Sequence, residues 1–373
     1  MIYLDNSATS FPKPKSVIKE VGRCIREYCA NSGRSAHRLA LYTAERIFET
    51  RENISSMLGC PDRCENVVFT QNATYALNIA IKGAIKPHTH VLVSDIEHNS
   101  VIRPLESLKK AIGIQYDLFD SSDIENSIKE KIKPTTKYLI STLTSNVTGA
   151  EIPLKTLSGI SKELGLFLIV DASQYIGHKG ININETPCDI LCAPGHKALF
   201  GIQGCGFAFF NTNESFEPLI TGGSGNNSLN KDMPPELPEH FEAGTLPTPS
   251  IVALNEGIKF INKVGIEEIS KKIDFLTKET EYRLSKIDKV TLYGAQNGII
   301  AFNIKGLNSH FVAERLSEAN ICTRAGLHCA PSVHKLLNTL DMGAVRLSFS
   351  YFNRIADIDR AYKEIKSVSE RYS

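Results

Sequence analysis

The sequence lacks any excess of charge and any long apolar segment, and both absences narrow its possible functions. Its 42 lysines and arginines balance 41 aspartates and glutamates, which argues against a basic surface for nucleic acid and against an acidic disordered tail. No apolar run reaches the length needed to cross a membrane, so we expect no membrane partner. The 373 residues, of which 42% are hydrophobic, suffice for two domains with a sizeable core.

The nine cysteines lack the spacing of a disulfide scaffold or of a metal site. Cys60 and Cys64, like Cys188 and Cys192, are four positions apart, and no second cysteine or histidine pair has the spacing of a zinc site. An odd number of cysteines spread over a long chain is typical of reduced thiols. Residues 1–5 also lack the basic and apolar regions of a signal peptide. We therefore expect a cytoplasmic protein without a metal.

From residue 66 onward, short apolar strands alternate with helices. This alternation predicts an α/β fold with a mostly parallel sheet that is covered by helices on both faces. The predicted strands are residues 66–70, 90–94, 114–119, 137–142, 166–171, 189–193 and 206–210. The predicted helices between them are residues 74–85, 100–112, 122–132 and 153–164.

A second, smaller unit is predicted after the long helix near residues 249–263, which the proline-containing break at residues 247–249 opens. The composition becomes more charged there, and the pattern predicts an α+β arrangement. We divide the chain into a large domain of residues 14–262 and a small domain of residues 263–373, to which residues 1–13 also belong. Residues 222–238, rich in glycine and proline, are expected to form an irregular loop.

Lys197 lies between a predicted buried strand and a glycine-rich segment. A lysine at the end of a buried strand is poorly placed as a hydrated surface charge. It is well placed as an amine with a depressed pKa, which is able to form a Schiff base. Taken alone, Lys197 is more simply an ordinary loop lysine, and only the rest of the chain favours the chemical role.

Polar residues also follow several other strands, at the edge where sheets of this class bind ligands. Ala73 and Thr74 begin a helix, where free N–H groups and a hydroxyl suit a phosphate, although a plain helix cap is the better explanation when the segment is taken alone. His98 and Asn146 follow the next strands along the chain. Asp171 ends an apolar strand, so its buried carboxylate needs a cation, and a protonated cofactor ring nitrogen would serve.

A Schiff-base lysine, a buried aspartate and a phosphate site at a helix start together indicate pyridoxal phosphate. The chain here resembles the class V aminotransferase group of pyridoxal-phosphate enzymes and, within it, the cysteine desulfurases and selenocysteine lyases. The resemblance extends from Tyr3-Leu4-Asp5-Asn6 to Arg346-Leu347-Ser348, with the motifs in the family's order. It implies the fold type I architecture, in which a large cofactor-binding domain precedes a smaller C-terminal one.

The resemblance also implies roles around the cofactor. Lys197 would hold it through a Schiff base, Asp171 would pair with its pyridine nitrogen, and Gln174 would hydrogen-bond its phenolic oxygen. His98 would stack on the ring and, with a pKa near neutrality, move protons. Asn146 would touch cofactor and substrate. The phosphate would be bound by Ala73, Thr74 and His196, and by Thr245 of the other subunit of a homodimer.

The segment of residues 324–331 resembles the cysteine-bearing loop of the second group of desulfurases. By this resemblance Cys329 would accept the sulfur, while Arg346, and less strongly Arg324, would bind the substrate carboxylate. Alone, Cys329 would be an inert buried thiol, but an arginine and His328 nearby favour a reactive thiolate. Only 16 residues separate Cys329 from Arg346, so the loop is expected to have limited reach.

We therefore expect a homodimeric, cytoplasmic cysteine desulfurase that converts L-cysteine into L-alanine and forms a persulfide on Cys329 for a sulfur-acceptor protein. Two alternatives are enzymes, namely a selenocysteine lyase and a cysteine or cystine β-lyase that gives pyruvate. A third is a catalytically silent scaffold or sulfur carrier. Two positions depart from the family pattern. Relatives commonly carry a phosphate-binding serine at Pro194, and the sulfur-assembly members tend to carry a histidine at Gly33.

Overall fold

The computed structural model describes residues 1–33, 37–225 and 229–372. Up to residue 210 its helices and strands are, in chain order, β1 (Ile2–Tyr3), α1 (Lys15–Glu27), α2 (Arg38–Met57), β2 (Val67–Thr70), α3 (Ala73–Ala84), β3 (His90–Ser94), α4 (Asn99–Ile112), β4 (Gln115–Phe119), α5 (Ile124–Lys131), β5 (Thr136–Thr142), α6 (Leu154–Leu164), β6 (Phe167–Asp171), β7 (Ile190–Pro194) and β8 (Gly206–Phe210). They are followed by α7 (Thr248–Val264), α8 (Ile266–Leu284), β9 (Val290–Gln296), β10 (Ile299–Ile304), α9 (Ser309–Glu318), β11 (Ile321–Cys322), β12 (Arg324–Gly326), α10 (Pro331–Leu336), β13 (Ala344–Ser348) and α11 (Ile355–Tyr372).

Strands β2 to β8 form one sheet, in the order β2-β8-β7-β6-β5-β3-β4. Strand β8 pairs antiparallel with β2 and β7, and all other pairs are parallel, so β8 alone of these strands runs in the opposite direction. Runs of valine, isoleucine and leucine form β3, β6 and β7, which are buried along their whole length. The expected α/β class and mostly parallel sheet are confirmed.

Helices cover both faces of this sheet because successive strand residues point to opposite sides. In β6, Leu168 packs into a core to which α2, α6 and α7 contribute. Its neighbour Ile169 packs into a second core, to which α3 and α4 contribute. Glycines in the left-handed conformation end two of these helices, Gly113 after α4 (φ 69°) and Gly165 after α6 (φ 60°).

The C-terminal part of the chain builds a second sheet and a third core. Strands β9, β10, β12 and β13 form an antiparallel sheet, and α8, α9 and α11 contribute to the core beside it. The N-terminal strand β1 pairs with β11, and Asp5 pairs with Ser348 of β13. The N-terminal residues are thereby joined to the C-terminal sheet. The division into domains at residues 262 and 263 stays a prediction.

Two further regions can be compared with the expectations. The loop at residues 222–238 contains no helix or strand in its described parts, residues 222–225 and 229–238, while residues 226–228 lie outside the described residues. The sequence pattern gave no bounds for β11, β12, β13 and α10, which carry or flank the cysteine segment. Across the described ranges, no helix combines the length and apolar character that spanning a membrane requires.

Candidate active site

A cavity lies at the carboxyl-end edge of the seven-stranded sheet, where β5, β6 and β7 end and α3 begins. Because the parallel strands end side by side, residues far apart in sequence meet there. The cavity is lined by Asn72, Ala73, Thr74, Leu77, His98, Ser100, Thr142, Thr144, Asn146, Asp171, Ser173, Gln174, Pro194, His196 and Lys197. The structure thus brings together eight of the sequence-predicted residues: Ala73, Thr74, His98, Asn146, Asp171, Gln174, His196 and Lys197.

Lys197 follows β7 and reaches the cavity with a perturbed amine. Loss of hydration is the main effect and lowers the pKa of Lys197 to about 8, while Asp171 opposes this shift. The cations Arg346 and Arg324 lower the pKa further. An amine with such a pKa is partly unprotonated near neutral pH, which suits Schiff-base formation.

The N-terminal segment holds the backbone on either side of this amine. The carbonyl of His196 accepts hydrogen bonds from the hydroxyl of Thr9 (3.0 Å) and from Nζ of Lys13 (2.9 Å). The carbonyl of Lys197 accepts one from the hydroxyl of Ser10 (2.7 Å). Sequence reasoning missed these residues. The only signal was the polar segment before the first helix, whose contacts arise only in the folded chain.

Asp171 is 4% exposed at the end of β6. Its Oδ1 accepts the backbone N–H of Ser173 at 2.8 Å. Within the described parts of the chain, no donor reaches its other oxygen and no cation forms a salt bridge with it. A buried carboxylate with one free oxygen at a cavity fits a cationic ligand group such as a protonated ring nitrogen.

A second acid, Glu97, lies fully buried close to Asp171, and sequence reasoning missed it. Its Oε1 accepts the hydroxyl of Ser94 (2.5 Å) and the N–H of Thr142 (2.6 Å), which ties the ends of β3 and β5 together. Burial, with a further contribution from Asp171, raises the pKa of Glu97 to about 8. Glu97 is therefore mainly protonated at neutral pH. In sequence it was only the neighbour of His98, and nothing there signalled its burial.

His98 caps α4, and its protonation differs from the expectation. Its Nδ1 accepts the backbone N–H of Ser100 at 3.0 Å, so the neutral ring carries its proton on Nε2. Burial is the main effect that lowers the pKa of His98 to about 4, and the charges of Lys197, Arg324 and Arg103 add to it. The expected near-neutral pKa is therefore wrong, because the sequence could show neither the burial of the ring nor the nearby cations.

The start of α3 has the features of an anion site. Asn72 caps the helix by accepting the N–H of Tyr75 (3.1 Å), and the N–H groups of the first turn have no intrahelical acceptor. The hydroxyl of Thr74 lies 2.8 Å from that of Ser100, a residue that sequence reasoning had not singled out. Nδ1 of His196 is buried and, among the residues described, unpaired. These groups surround a space that suits a phosphate.

Arg346 lies on β13 and is 1% exposed. Its Nη1 donates to the carbonyl of Asn146 (2.8 Å) and its Nη2 to Asp5 (2.8 Å). Its buried Nε has no acceptor in the part of the chain that the structure describes. Arg324 faces Arg346 across the β12–β13 pair, so the two side chains lie on the same side of the small sheet. Neither arginine lines the cavity, but both act on its charges.

Cys329 is exposed, which excludes the buried, inert thiol that the residue taken alone would suggest. It lines a groove next to the cavity, and Thr74, His98 and Ser100 line both. Its carbonyl accepts the N–H of Asn99 at 2.8 Å, directly beside His98. Burial lowers the pKa of the preceding His328 to about 2. His328 is therefore neutral, and the positive charge expected from it beside the thiol is absent.

Thr245 is the one predicted cofactor residue that this chain keeps away from its own cavity. It lines a separate depression, where its hydroxyl accepts the side-chain amide of Asn31 at 3.3 Å. It is exposed, so it is accessible to a second subunit. The role of Thr245 at the cavity of a partner stays a prediction.

Comparisons with known proteins agree along almost the whole chain. The family model for class V aminotransferases matches residues 2–361. A probable cysteine desulfurase from Methanothermobacter thermautotrophicus is 31% identical over 99% of this chain and 94% of its own length. Another, from Halalkalibacterium halodurans, is 30% identical over 100% of this chain and 94% of its own.

Solved structures show the same similarity. The apo structure of a cysteine desulfurase from Thermococcus onnurineus NA1 matches with a TM-score of 0.91 and 28% identity, covering 99% of this chain and 94% of that one. A cysteine desulfurase from Escherichia coli matches with a TM-score of 0.89 at 23% identity and covers 99% of this chain and 94% of that one. At that identity the second likeness concerns the fold alone.

Proposed function

We propose that the chain is a cysteine desulfurase. It belongs to the class V aminotransferase family, and two probable cysteine desulfurases match it over 94% of their own length. It converts L-cysteine into L-alanine and transfers the sulfur to Cys329. The observation that carries this proposal is the position of Cys329. Its exposed thiol lies in a groove that shares three residues with the cavity of Lys197 and Asp171.

The residues of the cavity fit pyridoxal phosphate. The amine of Lys197 holds it, and the free oxygen of Asp171 pairs with its ring nitrogen. Gln174 donates one amide hydrogen to the carbonyl of Ser7 (3.0 Å), which leaves its other amide hydrogen for the phenolic oxygen. His98, which lines the same cavity, would lie against the ring. When bound, the cofactor supplies an electron sink for the bonds around the substrate α-carbon.

The phosphate binds at the start of α3. The N–H groups of Ala73 and Thr74, the Thr74 hydroxyl and the ring of His196 are its ligands. Pro194 provides neither a hydroxyl nor an N–H group. We assign the missing contact to Ser100, whose hydroxyl lies 2.8 Å from that of Thr74. Thr245 contributes from the second subunit of a homodimer.

The substrate carboxylate binds to Arg346. Asp5 and the carbonyl of Asn146 hold its two terminal nitrogens, so the guanidinium is already oriented before substrate arrives. The buried Nε, which has no acceptor in the described part of the chain, is left for the substrate carboxylate. Arg324, which forms no salt bridge with any residue in the described ranges, adds positive charge nearby. Asn146 thus connects the arginine to the cavity.

The sulfur transfer follows from this arrangement. Lys197 is free to act as a base only after the amino group of the substrate has taken its place. Its amine, with its lowered pKa, would then take the proton from the α-carbon of the bound cysteine. The thiolate of Cys329 attacks the substrate sulfur, the carbon–sulfur bond breaks, and the new sulfur–sulfur bond is a persulfide. The electron pair of the broken bond stays with the β-carbon, which takes up the equivalent of the proton that the Cys329 thiol lost. The α-carbon regains the proton held by Lys197, and L-alanine is released. A sulfur-acceptor protein then reaches the exposed Cys329.

The nine cysteines, all within the described ranges, are free thiols, which supports a cytoplasmic location.

Product analysis tests this proposal. The cofactor-loaded protein is incubated with L-cysteine, the small products are identified, and the mass of the Cys329 peptide is measured. We expect one L-alanine to be formed for each sulfur atom that is added to Cys329. Pyruvate and ammonia would instead indicate a β-lyase. Turnover of selenocysteine alone would indicate a selenocysteine lyase. A protein that binds no cofactor and yields no product would be a silent scaffold.

A further inference from the structure

The backbone around Cys329 is strained. His328 and Cys329 have φ values of 52° and 57°, so two consecutive residues other than glycine are in the left-handed region. Such conformations persist only where the surroundings hold them in place. A turn closes directly over them, because the N–H of Ala330 donates to the carbonyl of Leu327 at 2.9 Å. The position of the Cys329 thiol therefore depends on what restrains this turn.

Two restraints on this turn come from residues that follow strands of the seven-stranded sheet. The side-chain amide of Asn146 donates to the carbonyl of His328 at 2.7 Å. The backbone N–H of Asn99 donates to the carbonyl of Cys329 at 2.8 Å. Both hold the carbonyl groups of the strained pair. Neither bond involves the side chain of His328, which is contacted from the C-terminal side of the cysteine.

The third restraint is a bond between two buried rings. Nδ1 of His328 lies 3.2 Å from Nε2 of His334, which is on α10. The two residues are 4% and 0% exposed. Nδ1 of His334 lies 2.8 Å from the hydroxyl of Thr339, so the second ring is itself oriented. A chain of contacts thus runs from Thr339 through His334 to the residue before the cysteine.

The rings are suited to a single directed hydrogen bond. Burial lowers the pKa of both histidines, so both are neutral. A neutral imidazole has one N–H and one acceptor nitrogen, and one ring therefore donates to the other. Neither ring lines the cavity or the groove of Cys329. Their contact acts on the thiol only through the backbone.

We propose that His334 is a positioning residue for Cys329, because its ring holds the ring of His328 and thereby the strained turn that presents the thiol. The inference rests on the proposed role of Cys329 as the sulfur acceptor. It adds a requirement that the cofactor cavity does not supply. The thiol must be held at the groove by a buried contact on the C-terminal side of the cysteine.

Amide substitutions can test this one bond from both ends. The amide of glutamine lies near the Nε2 position of a histidine, and the amide of asparagine lies near the Nδ1 position. At residue 334 the bond uses Nε2, so His334→Gln keeps it and His334→Asn loses it. At residue 328 the bond uses Nδ1, so His328→Asn keeps it and His328→Gln loses it. Glutamine should therefore be the better substitute at residue 334, and asparagine should be the better one at residue 328.

The four variants are compared with the wild type as cofactor-loaded, full-length protein. Hydrogen exchange of the peptide covering residues 327–334 is measured without cysteine, with residues 309–318 as the control. We expect the bond-losing variants to exchange in residues 327–334 about tenfold faster or more, because a buried partner is lost. Their kcat for alanine release should fall to a similar extent, while the KM for cysteine and the cofactor absorbance stay unchanged.

Three outcomes would overturn the inference. One is that the same amide serves better at both positions, which would indicate packing and not a directed bond. Another is unchanged exchange in all four variants. A third is that the bond-losing variants fail to fold while the bond-keeping ones fold, since the contact would then support the protein as a whole. A wild type that places no sulfur on Cys329 would refute the proposed function, whereas the exchange result would still stand by itself.

Discussion

The cofactor cavity and the cysteine turn place their reactive groups by different means. In the cavity, Asp171 and Lys197 follow adjacent strands of a sheet that is buried on both faces. At the turn, hydrogen bonds hold the carbonyl groups of the two strained residues, His328 and Cys329, and the Cys329 thiol is exposed. The cavity is thus part of the core, whereas the turn is supported by a few contacts that single substitutions can remove.

The difference suits the two tasks. A cofactor that stays bound needs groups that do not move, and the strand ends provide them. In the proposed function, a thiol that receives sulfur at the cavity and passes it to an acceptor protein needs exposure, which a core position would not allow. The two regions should therefore respond differently to substitution. Changes at the turn should spare cofactor binding, whereas changes in the cavity should alter it or its chemistry.

The largest expected effect is that of Cys329→Ser. We expect the variant to load its cofactor and bind cysteine, with the usual shift in visible absorbance, but to release no alanine from cysteine and to carry no persulfide, because a hydroxyl is a far weaker nucleophile. Peptide mass and alanine analysis measure this, with Cys29→Ser as the matched exposed control. Full alanine release by Cys329→Ser would contradict the separation of the two regions.

The next effect is that of Asp171→Ala. We expect turnover to fall by about two orders of magnitude or more while the cofactor still binds, because its ring nitrogen loses the charge that keeps it protonated. Steady-state kinetics and the absorbance of the loaded protein measure this. Glu151→Ala, a partly exposed carboxylate paired with Lys179, serves as a control. Near-normal turnover of the Asp171 variant would remove Asp171 from the cofactor site.

A smaller effect is expected at Arg346, which links the two regions through Asn146. We expect Arg346→Ala to weaken cysteine binding by about 2 kcal/mol, the scale of a charge-assisted hydrogen bond to a carboxylate. The apparent affinity is followed by the change in cofactor absorbance. Arg324→Ala, made on the paired strand, should weaken binding less. If the order of the two variants were reversed, Arg324 would be the main carboxylate ligand.

The last effect is on stability and not on turnover, and it concerns Glu97 and pH. Its pKa is about 8 in the folded protein and near 4.5 in the unfolded chain, so the folded state holds one more proton between these values. The contribution of Glu97 to stability is therefore present at low pH and is lost as the pH rises towards 8. Glu97→Gln keeps the hydrogen-bonded shape without the proton equilibrium. In Glu97→Gln the free energy of unfolding should therefore fall less steeply with rising pH than in the wild type, by at most about 1.4 kcal/mol per pH unit.

Urea unfolding of wild type and Glu97→Gln at pH 5.5, 6.5 and 7.5, spaced roughly one unit apart within this interval, measures the effect. Glu106→Gln is the control, since that carboxylate is partly exposed and bonded to Tyr116. Parallel curves for wild type and Glu97→Gln would mean that Glu97 is ionised in the folded protein. The tie between β3 and β5 would then rest on a charge.

The cavity was largely predictable and the turn was not, for a physical reason. Asp171 ends one apolar strand and Lys197 follows the next, and a strand of valine, isoleucine and leucine is visible as a short-range pattern. Parallel strands must end at one edge, so their terminal residues must meet there. Glu97 escaped this reasoning because its burial and its contact with Thr142 depend on strand pairing. The pKa of His98 likewise depends on cations from distant segments.

The amino-acid sequence by itself determined the strand and helix pattern, the class of sheet and the residues at its carboxyl edge. Those features follow from periodicities of two and of about 3.6 residues, which act over short distances along the chain. Only the tertiary structure decided that Arg346 pairs with Asp5 and that His334 contacts His328. It also decided that His98 is neutral, because hydrogen bonds and burial depend on groups that the folded chain brings together from far apart.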